Sequence, residues 1–127
     1  IDRLPPERQS GLCVRRLGGK KASDEELLDH YVRELDKVGG NSKGKWITAV
    51  ALAVSKDQAF CSSFVVETFL TSEASPIVNP GEPLNSLQIV PALHRYKSEM
   101  TPEERLELES EAAHRIRTFI REHLEHI

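Results

Sequence analysis

Two basic pairs are the groups in this chain best suited to meet an anion. Arg15-Arg16 stand just before Gly18-Gly19, and arginine forks suit phosphate oxygens. Paired arginines beside a loop also serve as surface salt-bridge partners. His114-Arg115 lie beside Arg117 and Arg121, which also reads as a solvated or interfacial patch. Asp24, Glu25 and Glu26 could hold a metal, but the same trio suits the positive end of a helix dipole. Glu103, Glu104, Glu107, Glu109 and Glu111 read as an exposed helix face. Cys13 and Cys61 have no local partner at nucleophile or metal spacing and read as small buried residues. His123 and His126 could take an adventitious metal and otherwise mark a frayed end. His30 and His94 stand alone, and five histidines without a ligand pattern do not make a zinc site.

The element that must position these groups is a hairpin. WITAVALAV (46–54) and AFCSSFVVETFL (59–70) are rich in β-branched and aromatic residues and are joined by a short polar link, the pattern of paired strands. In the first run Trp46, Thr48, Val50, Leu52 and Val54 share one face, and Ile47, Ala49, Ala51 and Ala53 share the other. Neither face is charged, so the strand is expected to be covered on both sides, with a helix on the alanine face. Before it, Ser23 with Glu26 forms a capping box. Leu27, Leu28, Tyr31, Val32, Leu35 and Val38 then recur at helical spacing, giving a helix over 24–38 stopped by Gly39-Gly40. The polar stretch NSKGK reads as a loop. After the hairpin, 71–83 carries three prolines and a glycine and reads as a loop. Leu87–Val90 is either an edge strand ending at Pro91 or an ordered loop. Thr101, Pro102 and Glu104 open a second capped helix over 102–125. Its apolar stripe is Ala112, Ala113, Ile116, Phe119, Ile120, Leu124 and Ile127, and a kink or break near 109–112 is expected from its length. The fold class is α/β: a mixed sheet with a central hairpin flanked by helices.

The 127 residues suit a single domain. A net charge of −3 argues against a general nucleic-acid binder. No apolar run approaches the roughly 20 residues of a membrane span. Two cysteines make no disulfide framework, so a reduced, cytoplasmic protein is expected. The start at Ile1 leaves room for an upstream segment.

Several stretches, taken in order, resemble the inosine triphosphate pyrophosphatase family, the non-canonical purine nucleoside triphosphate pyrophosphatases. SGLCVRRLGG (10–19) is similar to the family's P-G-V-Y-S-A-R-Y-A-G, with Gly11, Arg16 and Gly19 in matching places. An acidic helix and the paired strands follow, as in the family. KSEMTPEER (97–105) resembles A-E-M-S-P-E-E-K, and AHR (113–115) resembles S-H-R. The resemblance covers nearly all of this chain and the last two-thirds of a family member. It implies a long mixed sheet flanked by helices, a homodimer, and Mg2+-dependent hydrolysis of ITP, dITP or XTP to the monophosphate and pyrophosphate. In such chemistry a metal and cationic side chains neutralise the triphosphate while a carboxylate helps activate water. By this resemblance His114 and Arg115 recognise the nucleotide, Arg105 stands near phosphates in place of a lysine, and Arg16 matches the arginine of the glycine-flanked segment.

The chain departs from the pattern at several points. It has neither the opening S-G-N-x-x-K phosphate loop nor G-F-G-Y-D-P, where it reads PLNSLQIVPAL. Ala113 replaces the family's serine. Arg105 and His114 are nine residues apart, and at about 100° per residue they fall on opposite sides of an unbroken helix. The expectation is a nucleotide pyrophosphatase-like protein, inactive as this isolated chain. The alternative is a non-catalytic relative that dimerises or binds, and a small α/β partner-binding module is a third reading.

Overall fold

The computed structural model describes residues 1–11 and 13–126, with His126 described in its backbone alone. Leu12 and Ile127 lie outside the described residues. A capping box opens the first helix, α1 (Asp24–Asp36). Ser23 Oγ accepts from the Glu26 N–H at 3.1 Å, and Glu26 Oε1 accepts from the Ser23 N–H at 3.3 Å. Leu27, Tyr31 and Leu35 are buried, as the helical spacing predicts, and Leu28 and Val32 pack beside them. The helix ends at Asp36 rather than Val38.

Ahead of α1, β1 (Arg16–Leu17) and β2 (Lys20–Lys21) form an antiparallel ribbon. Gly18 and Gly19 turn it at φ 59° and 80°, a backbone region that costs glycine little.

The hairpin is longer than the hydrophobic runs alone indicate. β3 is Asn41–Ser55 and β4 is Gln58–Thr71. NSKGK is therefore strand rather than loop, because Ser42 and Gly44 face inward and are buried. Gly44 lies so close to β4 that an added Cβ would sit 2.6 Å from Leu70 Cδ1. Two short strands complete the sheet, β5 (Gln88–Val90) and β6 (Arg95–Tyr96), in the order β3-β4-β5-β6. Phe69 stands opposite Ile89, and Ile89 opposite Tyr96. β5 does stop before Pro91, but it has a neighbour on each side and is not an edge strand.

The chain divides into two compact units. The first comprises Ile1–Lys45 and Glu67–Met100. Its core joins α1 to Leu70 and to the turn carrying Leu84 and Leu87. The second comprises Trp46–Val66 and Thr101–Ile127, and contains α2 (Pro102–His123). Thr101 and Glu104 make the expected capping box, with bonds of 3.2 and 3.0 Å. α2 runs unbroken, so the break expected near 109–112 does not occur. Phe119 is the one buried hydrophobic residue of this unit among the described residues. Ile120 and Leu124, expected in the buried stripe, are exposed.

Two further expectations are corrected. The hairpin is not covered on both faces: Thr48, Val50, Leu52 and Val54 are half-buried, while Ile47, Ala49, Ala51 and Ala53 are exposed. α2 meets the bulkier face, through Phe119 and the ring of Phe64, because larger side chains bury more apolar area than alanines. Cys13 and Cys61 are free and exposed rather than buried. Cys61 falls on the uncovered side of β4.

Candidate functional site

In the second unit a groove of about 420 Å³ runs between α2 and the hairpin. The single turn from His114 to Thr118 supplies one wall, with His114, Arg115 and Thr118 at helical spacing. Ser62, Ser63 and Phe64 of β4 supply the other. The Arg115 guanidinium stacks 5.4 Å from the centroid of the Phe64 ring, within cation–π range. Its Nη2 also donates to Glu111 Oε1 at 2.8 Å, one helical turn back. These two contacts fix Arg115 at the groove wall with further guanidinium N–H groups to offer an anion. Phe119 and His123 meet at 4.8 Å with their rings tilted, and the His123 ring meets Phe60 at 4.3 Å. The groove thus joins a cation, an imidazole, three hydroxyls and an aromatic face. That set can bind an anionic group. Its one carboxylate is Glu122.

No family model, curated protein or solved structure matches this chain.

Of the residues singled out by sequence, the structure brings His114 and Arg115 together in this groove. Arg105 lies nine residues earlier on the unbroken α2 and does not line it. Arg16 belongs to the first unit, exposed on β1, with its Nη1 donating to the Gly19 carbonyl at 3.3 Å. Its neighbour Arg15 is taken up structurally. It donates to Asp24 Oδ1 at 2.6 Å and to the Gly81 carbonyl at 2.7 Å. Asp24 Oδ2 in turn accepts from the Gly81 N–H at 2.8 Å. That bond, followed by the one from Arg15, holds the Asp24 carboxyl below its ordinary range. The acidic cluster at 24–26 therefore caps α1 and anchors the 71–83 loop.

The described residues contain no group of three carboxylate, histidine or cysteine side chains that could hold a metal ion. The Mg2+ implied by the resemblance finds no such three-residue set among the described residues. His126, one of the histidines considered for metal, lies outside the described side chains.

Sequence reasoning missed Ser62, Thr118 and Phe64 as groove residues. It also missed a second concavity, in the first unit, lined by Lys43, Lys45, Glu67 and Phe69. Their signal was strand parity: each pair alternates on one face of its strand. Reading NSKGK as a loop hid the two lysines.

Proposed function

We propose that this chain is a divergent nucleoside triphosphate pyrophosphatase-like protein that binds a non-canonical purine nucleotide without hydrolysing it by itself. One observation carries the reading: His114 and Arg115 line one groove with Ser62, Thr118 and the ring of Phe64. Arg115, with His114 beside it, would hold phosphate oxygens. The base would meet the edge of the Phe64 ring, whose face carries Arg115, and hydroxyl groups would answer the base's polar edge. Hydrolysis by this chain alone is not expected because it has neither the S-G-N-x-x-K loop nor the G-F-G-Y-D-P segment of the family it resembles.

The test is calorimetric titration of the purified chain with ITP, XTP and ATP, alongside a pyrophosphate-release assay. Saturable binding of ITP or XTP in preference to ATP is expected, with no pyrophosphate released. His114→Ala combined with Arg115→Ala should weaken binding at least about tenfold. Absence of saturable binding, or binding indifferent to both substitutions, overturns the reading.

A second reading, a module that pairs with another copy of itself, is favoured by the uncovered face of the hairpin. Ile47 is 66% and Val65 47% exposed. No charged residue lies in 46–55 or 58–66. Beyond Lys43, where Asp2 bonds to it, β3 also has an open edge in the strand order among the described residues, and such edges pair readily. Sedimentation equilibrium decides it: a monomer at high concentration rules this reading out.

A further inference from the structure

The first unit carries a cleft of about 620 Å³, a size that encloses small organic ligands. Its floor is one face of the sheet: Lys43 and Lys45 on β3, Glu67 and Phe69 on β4, and Ile89 on β5. Strand order sets these in a row, with Phe69 directly opposite Ile89. Asp2 closes the β3 side, held there by its N–H to the Lys43 carbonyl at 2.9 Å. Pro91 and His94 close the other. His94 adopts φ 51° and its N–H is tied to the Val90 carbonyl at 2.9 Å, so its backbone is set at the rim.

Two ammonium groups and two carboxylates thus surround an apolar strip of Phe69, Ile89 and Pro91. None of Asp2, Lys43, Lys45 and Glu67 is held in an ion pair among the described residues. A simple anion entering the cleft meets two carboxylates, and a simple cation meets two ammonium groups. A small zwitterion with an apolar side group satisfies both signs and the strip together, since complementary charge is what sets specificity.

We propose that this cleft binds a free α-amino acid with an aromatic or branched side chain. Lys43 and Lys45 receive its carboxylate, and Glu67, with Asp2, receives its ammonium group. Its side chain lies along Phe69 and Ile89. The proposal is independent of the His114-Arg115 groove.

The test titrates the full chain with L-phenylalanine, N-acetyl-L-phenylalanine, L-phenylalanine amide and phenyl phosphate, following amide shifts by NMR. L-Phenylalanine should bind saturably, and each blocked analogue should bind at least about tenfold more weakly. Lys43→Gln with Lys45→Gln should abolish the penalty on the amide, and Asp2→Asn with Glu67→Gln the penalty on the N-acetyl form. These side chains are exposed, so the variants should keep the fold, which their amide spectra report directly. Binding of ITP should be unchanged in all of them, separating this site from the groove. The proposal fails if L-phenylalanine does not saturate, if blocked analogues bind as well as it does, or if phenyl phosphate binds more tightly.

Discussion

Gly44 and Glu34 show how far single side chains decide local structure here. Gly44 is buried, and a methyl group there would press on Leu70, itself 4% exposed. Gly44→Ala should cost about 1–3 kcal/mol, the usual penalty of overpacking, measured by urea denaturation. Shortening the neighbour with Leu70→Val should recover part of that loss in the double variant. Glu34 is buried on α1 and accepts from Arg8 and, at 3.0 Å, from Lys37. Burial by itself would raise its carboxyl, but hydrogen bonds from Arg8 and Lys37 outweigh this and hold it below its ordinary 4.5. Asp24 is likewise depressed, first by Gly81 and then by Arg15. A depressed carboxylate contributes stability above its unfolded pKa and loses it as pH falls through the folded value. Stability should therefore decline with acidification from about pH 4.5 downward. Glu34→Gln combined with Asp24→Asn should flatten that decline, read from urea midpoints across the acid range. At neutral pH Glu34→Gln should itself cost about 1–3 kcal/mol, because one neutral amide oxygen replaces the two carboxylate oxygens that accept from Arg8 and Lys37.

At the scale of elements, α1 and α2 are opened by the same device and differ in what they bury. Ser23→Ala and Thr101→Ala should each cost about 1 kcal/mol through loss of the cap. α1 then sinks Leu27, Tyr31 and Leu35 into the core. Leu35→Ala, at a fully buried position, should cost about 2–5 kcal/mol, measured as a fall in the thermal midpoint. α2 buries Phe119 alone and leaves Leu106 71% exposed. The hairpin repeats that contrast along its own length. Its base turns Ser42, Gly44 and Leu70 inward, whereas beyond Lys45 the alternate residues of β3 face solvent on one side. If this uncovered face pairs two copies, Ile47→Lys with Val65→Lys should yield monomers by sedimentation without loss of helicity by circular dichroism.

For the molecule as a whole, the two units should differ in local stability. The first holds the cluster of Leu27, Leu35, Leu70 and Leu87, and the second has Phe119 as its one buried hydrophobic residue among those described. Opening free energy follows buried apolar contact. Amide exchange should therefore be slowest at Leu27–Leu35 and Leu70, and faster by orders of magnitude in the hairpin over Trp46–Val66 and in α2. Equal protection across both would contradict this assignment of the core. No helix is long and apolar enough to cross a membrane among the described residues.

Local chemistry was legible in the residues themselves. Both capping boxes, the α1 stripe and the hairpin could be read directly, because each rests on neighbours within a turn or on strand alternation. Tertiary packing decided the rest. NSKGK became strand because Ser42 and Gly44 found a core to face, which overrode the loop-like composition of the segment. The covered side of the hairpin depended on which face offered more area to α2, a quantity that hydrophobicity without a partner does not define. The same holds for the candidate sites. His114 and Arg115 were visible as a pair, but the ring of Phe64 under Arg115, the capture of Arg15 by Asp24 and the company of Lys43, Lys45, Glu67 and Phe69 arise from segments distant in sequence. Such contacts exist only once the strands are paired and the helices seated on them.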